Sequence, residues 1–222
     1  MSVPPAPTRG NPAVRRPGRP RSLSAHQAIL DAALDLLAAE GYERMTIEAV
    51  AARAGVGKTT IYRRWASKED LIIDAMKNLI SEVHPPDTGS VRDDLVELLT
   101  QMQRVLASSR AGDVFPRMVA EVAAGSALGR AYLQRVIGPR FAMVDSILAR
   151  GVRRGELSAD LDLDVARDLL VGPVVVAKLT GRLTPRAAPQ RAAQLVDTLL
   201  GGLATSAPGR PPSRRDRKGD LS

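Results

Sequence analysis

Thr46-Ile-Glu-Ala-Val-Ala-Ala-Arg-Ala-Gly-Val-Gly-Lys-Thr-Thr-Ile-Tyr-Arg-Arg-Trp65 admits two incompatible readings. Gly57-Lys58-Thr59 looks like the end of a phosphate-binding loop, whereas the whole stretch looks like a helix-turn-helix. A phosphate loop follows G-x-x-x-x-G-K-[ST], its first glycine turning the chain so that backbone N–H groups converge on phosphate. That position is Ala52 here. The loop should also leave a buried hydrophobic strand, but Ile47, Val50, Ala51 and Ala54 recur at the spacing of one helix face. Alanine favours helix over strand. A P-loop-type NTPase therefore survives only as an alternative function.

The helix-turn-helix accounts for each residue. Thr46 is an N-cap, its hydroxyl accepting from free N–H groups of the first turn. Gly55 stands where a helix ends on a left-handed residue, a conformation glycine adopts without a Cβ clash. Val56 packs the turn, and a second helix runs from Lys58 to about Trp65. In such a unit the second helix enters the DNA major groove. It carries Lys58, Thr59, Thr60, Tyr62, Arg63 and Arg64, all able to hydrogen-bond phosphates or base edges. Ile61 and Trp65, four apart, face the core.

With these residues read, Thr46-Ile-x-x-Val-Ala-x-x-Ala-Gly-Val-x-Lys-x-Thr-Ile-Tyr-x-x-Trp-x-Ser-Lys-Glu-x-Leu71, preceded by a helix ending at Gly41-Tyr42, resembles the TetR family of bacterial repressors. The resemblance spans about residues 24 to 72. Arg64-Trp65 replaces the frequent His-Phe, and Ala66 stands where Pro is frequent. The family implies an all-α fold: a three-helix DNA-binding domain followed by a larger helical domain for effector binding and dimerisation. It implies a connector helix from Lys68 through Leu71, Ile72, Ala75, Met76 and Leu79, with Lys68 a candidate phosphate contact. The expected boundaries are a basic arm over 1–22, the DNA-binding domain over 23–70, the effector domain over 71–206 and a basic tail over 207–222.

Charge agrees with a DNA-binding reading. The 222 residues carry a net charge of +8 and no cysteine. Residues 1–70 hold a net +4, residues 71–207 a net +1 and residues 208–222 a net +3. The excess thus lies on the helix-turn-helix end and the tails, the footprint expected of a DNA binder. Without thiols there are neither disulfides nor thiolate metal sites. No apolar run approaches membrane-spanning length, so a cytoplasmic location with no membrane partner is expected.

Met1 to Arg21 holds Arg9, Arg15, Arg16, Arg19 and Arg21 among prolines, with no acid. Such a composition predicts a disordered arm. Pro17-Gly18-Arg19-Pro20-Arg21 resembles an AT-hook core, making Arg19 and Arg21 candidates for a narrow minor groove. A ligand-free architectural DNA binder using this arm is the second alternative function.

Ser24 with Gln27 makes a capping-box pattern for the first helix, whose stripe is Ile29, Ala32, Ala33, Leu36 and Leu37. Beyond His84-Pro85-Pro86, helical stripes run over Val91–Ala107, over about Asp113–Gly125, and over Leu128–Val152 with a kink at Gly138-Pro139. Met102, Phe115, Met118, Tyr132, Phe141 and Met143 are the candidates to line an apolar effector cavity. With aromatics only 3% of the chain, an aliphatic or amphipathic small molecule is expected rather than a flat dye.

Asp164 to about Gly181 is apolar almost all round, and such a helix needs burial on both sides. With the stripe Ala192, Leu195, Val196, Leu199 and Leu203, it predicts a homodimer through Leu170, Val174, Leu195, Val196 and Leu199. A two-fold dimer requires a near-palindromic operator in double-stranded DNA. No catalytic residues, metal site or cofactor are expected. His26 and His84 lack ligand spacing, and Asp160, Asp162 and Asp164 lack the glycine and closing Glu of a calcium loop.

Overall fold

The computed structural model describes residues 21–80, 83–108 and 110–202, and among them there is helix and no strand. Two compact units divide between Met76 and Lys77, inside one helix rather than at the expected 70/71.

The first unit is built from α1 (Arg21–Glu40), α2 (Ile47–Ala54), α3 (Lys58–Tyr62) and most of α4 (Lys68–Leu79). The predicted α1 stripe is buried, and Leu30 and Leu34 join it, so α1 is enclosed on more than one face. α1 packs on α2, and Val50 and Ala51 of α2, Ile61 of α3, Trp65, and Leu71, Ile72 and Ala75 of α4 are buried in the same unit. α1 starts at Arg21, three residues before the predicted cap; Ser24 therefore lies inside the helix, and Gln27 donates to Asp31 at 3.1 Å.

Both ends of α2, and with them the turn to α3, are fixed by chemistry legible in their residues. The Thr46 hydroxyl accepts from the Ala49 N–H at 3.1 Å. Gly55 sits at φ 67°, its N–H bonding to Ala52 O while the Val56 N–H bonds to Ala51 O at 3.0 Å. That paired closure satisfies two orphan carbonyls and needs a residue free of left-handed strain.

The second unit contains α5 (Val91–Ser108), α6 (Arg110–Ala123), α7 (Ala127–Tyr132), α8 (Gly138–Arg153), α9 (Leu163–Leu179) and α10 (Ala188–Gly201). α5 packs along α10 and also touches α6, α8 and α9. Between α7 and α8 the expected kink is a π turn over Leu133–Ile137, with the Gly138 N–H bonding to Leu133 O. Pro139 brings no N–H, and widening the preceding turn absorbs that loss without breaking the helix. Asp162 caps α9, its carboxylate accepting from the Asp164 and Val165 N–H groups, so the acid run leads a helix.

The loop before α5 is locked by a buried carboxylate. Asp94 is fully buried and accepts from the Thr88 N–H at 2.7 Å, the Thr88 hydroxyl at 2.8 Å and Arg150 Nη2 at 2.9 Å. Arg150 also donates to Pro86 O and lies 3.6 Å from Asp87.

Three expected dimer residues are corrected. Leu170, Val174 and Val196 belong to this unit's own core, and Leu195 and Leu199 pack half-buried against it. The outward side of α9 is instead Val165, Leu169, Val176 and Leu179, 55%, 56%, 49% and 48% exposed. Their spacing of four, seven and three residues forms one helical stripe.

Candidate functional site

α3 is anchored from behind and open in front. Ile61 is fully buried, and Trp65 is nearly so, stacked on His26 at 5.3 Å and donating its indole N–H to Asp74 at 2.9 Å. Regular helix stops at Tyr62, but N–H groups of Arg63, Arg64 and Trp65 still bond back to Thr59 and Ile61. Lys58, Thr59, Tyr62, Arg63 and Arg64 are exposed, Thr60 is half-buried, and Thr46 is exposed at the start of α2. These seven side chains lie on one unit, and six of them are exposed.

One acid intrudes on this face. Lys58 Nζ lies 3.0 Å from Glu48 Oε1, both groups about half exposed. The hydrogen bond from Lys58 lowers the Glu48 carboxyl, and the same bond raises the Lys58 ammonium. The lysine that would meet a phosphate is held by a carboxylate that a phosphate would repel.

Lys68 departs from its expected role. Its ammonium donates to Tyr42 O at 2.8 Å and Met45 O at 3.0 Å, and sits 4.0 Å over the Tyr42 ring. The Tyr42 hydroxyl in turn donates to Glu69. Lys68 is therefore a staple between the α1–α2 loop and α4, because the chain past Gly41 presents carbonyls that helix no longer satisfies. Arg19 lies outside the described residues, as do residues 203–222 with Leu203 and the basic tail; Arg21 is described only as the first backbone position of α1.

The second unit contains a partly open cavity of about 220 Å³. Of the predicted lining, Met102, Phe115, Tyr132 and Phe141 border it; Met118 and Met143 do not. Met118 is buried off the face that Phe115, Val119 and Val122 share. Met143 lies about 200° round α8 from Phe141 and packs on the core. The walls are completed by Ile80, Val83, Val105, Leu106, Leu133, Ile137, Val171, Val174 and Val175. Three of the chain's six aromatic rings are here, a concentration its composition did not announce.

Two polar side chains reach this cavity, Tyr132 and Arg140. Burial pushes the Tyr132 phenol up to about 12, partly opposed by the charge of Arg140. Arg140 donates to Val136 O at 3.1 Å and Ile80 O at 2.6 Å, and burial lowers its guanidinium from its ordinary value. Sequence reasoning missed Arg140, since an arginine in a helix reads as solvated. Val119 and Val122 were reachable by extending the phase of Phe115.

The phosphate-loop alternative finds no support here. Helix α2 precedes Gly57, and no strand exists among the described residues to hold such a loop. Nor do the described residues group three His, Asp or Glu where a metal could be held, or include a helix long and apolar enough to cross a membrane.

Comparison with known proteins agrees with the geometry. Residues 29–75 match the family described as bacterial regulatory proteins, tetR family, and residues 85–199 match the tetracyclin repressor-like C-terminal domain. The HTH-type transcriptional regulator YdeS of Bacillus subtilis is 37% identical over 157 residues, covering 70% of this chain and 79% of YdeS. A DNA-binding transcriptional repressor TetR of Mycobacteroides abscessus is 34% identical over 139 residues, 61% of this chain and 72% of that one. Among solved structures, the TetR family transcription regulator SCO0332 superposes with a TM-score of 0.63 at 29% identity, covering 82% of this chain and all of that one. FadR from Bacillus subtilis, solved in complex with stearoyl-CoA, shares the fold with a TM-score of 0.65 at 20% identity over 81% of this chain and all of FadR. Helix-turn-helix, helical second unit and these likenesses converge: the chain belongs to the TetR family of DNA-binding transcriptional regulators.

Proposed function

We propose that this regulator is a homodimeric repressor that binds a near-palindromic operator through α3 and releases it when a small apolar or amphipathic molecule occupies the cavity. The observation that carries the DNA half is the outward row of donors on α3, over a back face locked by Ile61 and Trp65. Lys58, Thr59 and Tyr62 meet phosphates, Thr46 helps at the start of α2, and Thr60 and Arg63 reach base edges. Arg19 and Arg21 add a minor-groove arm beside the operator.

The unpartnered stripe of Val165, Leu169, Val176 and Leu179 supports dimerisation, because a surface helix of a monomer rarely leaves such a row in water. Two copies related by a two-fold axis present two α3 helices to grooves at least about 34 Å apart. The cavity supports the effector half, as does a fold relative crystallised with an acyl-CoA. An effector acts by favouring the dimer geometry whose recognition helices no longer match successive grooves. The protein catalyses nothing, carries no cofactor, and works in the cytoplasm with its DNA.

Selection of binding sites from a random duplex pool at near-physiological salt tests this reading. A single inverted repeat is the expected product. Recovery of only A·T-rich DNA would transfer the binding to the arm and favour an architectural role.

A further inference from the structure

We propose that the cavity selects an aliphatic carboxylic acid, a medium-chain fatty acid, with Arg140 receiving the carboxylate beside Tyr132; this rests on the reading above that the cavity is the effector site. Arg140 differs in its partners from three other part-buried arginines of the same unit. Arg150, Arg154 and Arg167, at most 30% exposed, each lie within 4 Å of carboxylates: Asp94 and Asp87, Asp87 and Glu156, Asp145 and Asp164. Arg140 is half-buried at the cavity wall, and among the described residues no carboxylate pairs with it. Its two hydrogen bonds go to neutral carbonyls, Val136 O and Ile80 O.

Two carbonyls leave a guanidinium with three of its five donors and its whole charge. A half-buried guanidinium with no carboxylate partner among the described residues gains from an anion brought by a ligand, through a charge-assisted, bidentate contact. Tyr132, a buried phenol close enough to feel the Arg140 charge, adds a donor at the same end. Everything else on the wall is hydrocarbon or ring, including Leu106, Phe115, Val119, Ile137 and Val174. One cationic end on an otherwise apolar cavity matches an alkyl chain ending in a carboxylate. It opposes an alkylamine, and it gives an alkyl alcohol no charge to pair.

The position of Arg140 also says where occupancy is felt. Ile80 follows directly on the last residue of α4, so Arg140 holds the carbonyl at that helix's end. A ligand carboxylate competes for the group that fixes this carbonyl.

Calorimetric titration of the full chain with decanoate, decan-1-ol, decylamine and decanoyl-CoA tests the proposal. Decanoate should bind at least about tenfold tighter than decan-1-ol, with decylamine weakest. Arg140→Gln should abolish the decanoate preference while leaving decan-1-ol affinity within about twofold; Arg140→Lys should retain part of it. Equal affinities for acid and alcohol on the unmodified chain, tighter binding of amine or thioester, or no binding at all would overturn the proposal. Release of a labelled operator is read in parallel. If decan-1-ol releases it as well as decanoate, carboxylate selection fails while effector control stands. If decanoate binds selectively yet releases nothing, the carboxylate site stands and effector control fails.

Discussion

Replacing Asp94 by alanine should unfold the second unit at markedly lower temperature. The carboxylate is fully buried and holds three donors, from Thr88 N, Thr88 Oγ1 and Arg150 Nη2, at 2.7, 2.8 and 2.9 Å. Removing one member of a buried ion pair costs roughly 3–5 kcal/mol, mostly through the partner left unpaired. Arg150 is 21% exposed and keeps Pro86 O and Asp87, which places the loss near the lower bound, about 3 kcal/mol. For a chain of 222 residues that corresponds to a fall of about 6–12 °C in Tm. Burial alone would raise the Asp94 carboxyl, but the Thr88 N–H, Arg150 and the Thr88 hydroxyl outweigh it and hold it below its ordinary value. A carboxyl that titrates lower in the folded than in the unfolded chain stabilises above pH ~4 and loses that contribution as pH falls through its folded value. Thermal unfolding followed by circular dichroism from pH 7 to pH 3 reads both effects. Asp94→Asn should have a lower Tm at pH 7 and a shallower decline on acidification than the unmodified chain. A Tm within about 2 °C of the unmodified chain for Asp94→Ala, or an unchanged acid slope for Asp94→Asn, would refute the reasoning.

Lys58→Ala should weaken binding to all duplexes and reduce the slope of log K against log salt by about one, whereas Glu48→Gln should tighten binding at low salt by releasing Lys58; fluorescence anisotropy over a salt series measures both. Arg63→Ala should flatten the preference for the selected operator over single-base variants, and equal weakening on every sequence would assign Arg63 to phosphate instead. Leu169→Asp, placed in the exposed α9 stripe, should convert dimer to monomer in sedimentation while leaving helicity intact; a persistent dimer would remove that stripe from the interface.

The parts of this molecule legible in its sequence are those whose determinants are local. Thr46 caps the start of α2 and Gly55 with Val56 closes its end through bonds to residues three to five away, and Gly41 ends α1 where expected. What stayed hidden depends on partners distant in the chain. Lys68 looked like a surface cation because the carbonyls it serves belong to Tyr42 and Met45. Arg140 is defined by a bond to Ile80, sixty residues earlier, and by having no carboxylate partner among the described residues. From Leu169 to Ala177 α9 has no polar side chain, so its sequence there marks no phase: Leu170 and Val174 turn inward, Leu169 and Val176 outward. Phase likewise separated Phe141, on the cavity, from Met143, two residues on.

If two copies of α3 act together on one operator, the number of chains on a single repeat is fixed at two. Sedimentation velocity of a labelled duplex carrying the selected inverted repeat, with increasing protein, counts the chains on it. The account predicts saturation at two chains, no further growth when flanking DNA is lengthened, and loss of the complex when one half-site is scrambled. Chains that accumulate in proportion to duplex length, indifferent to the repeat, would contradict it.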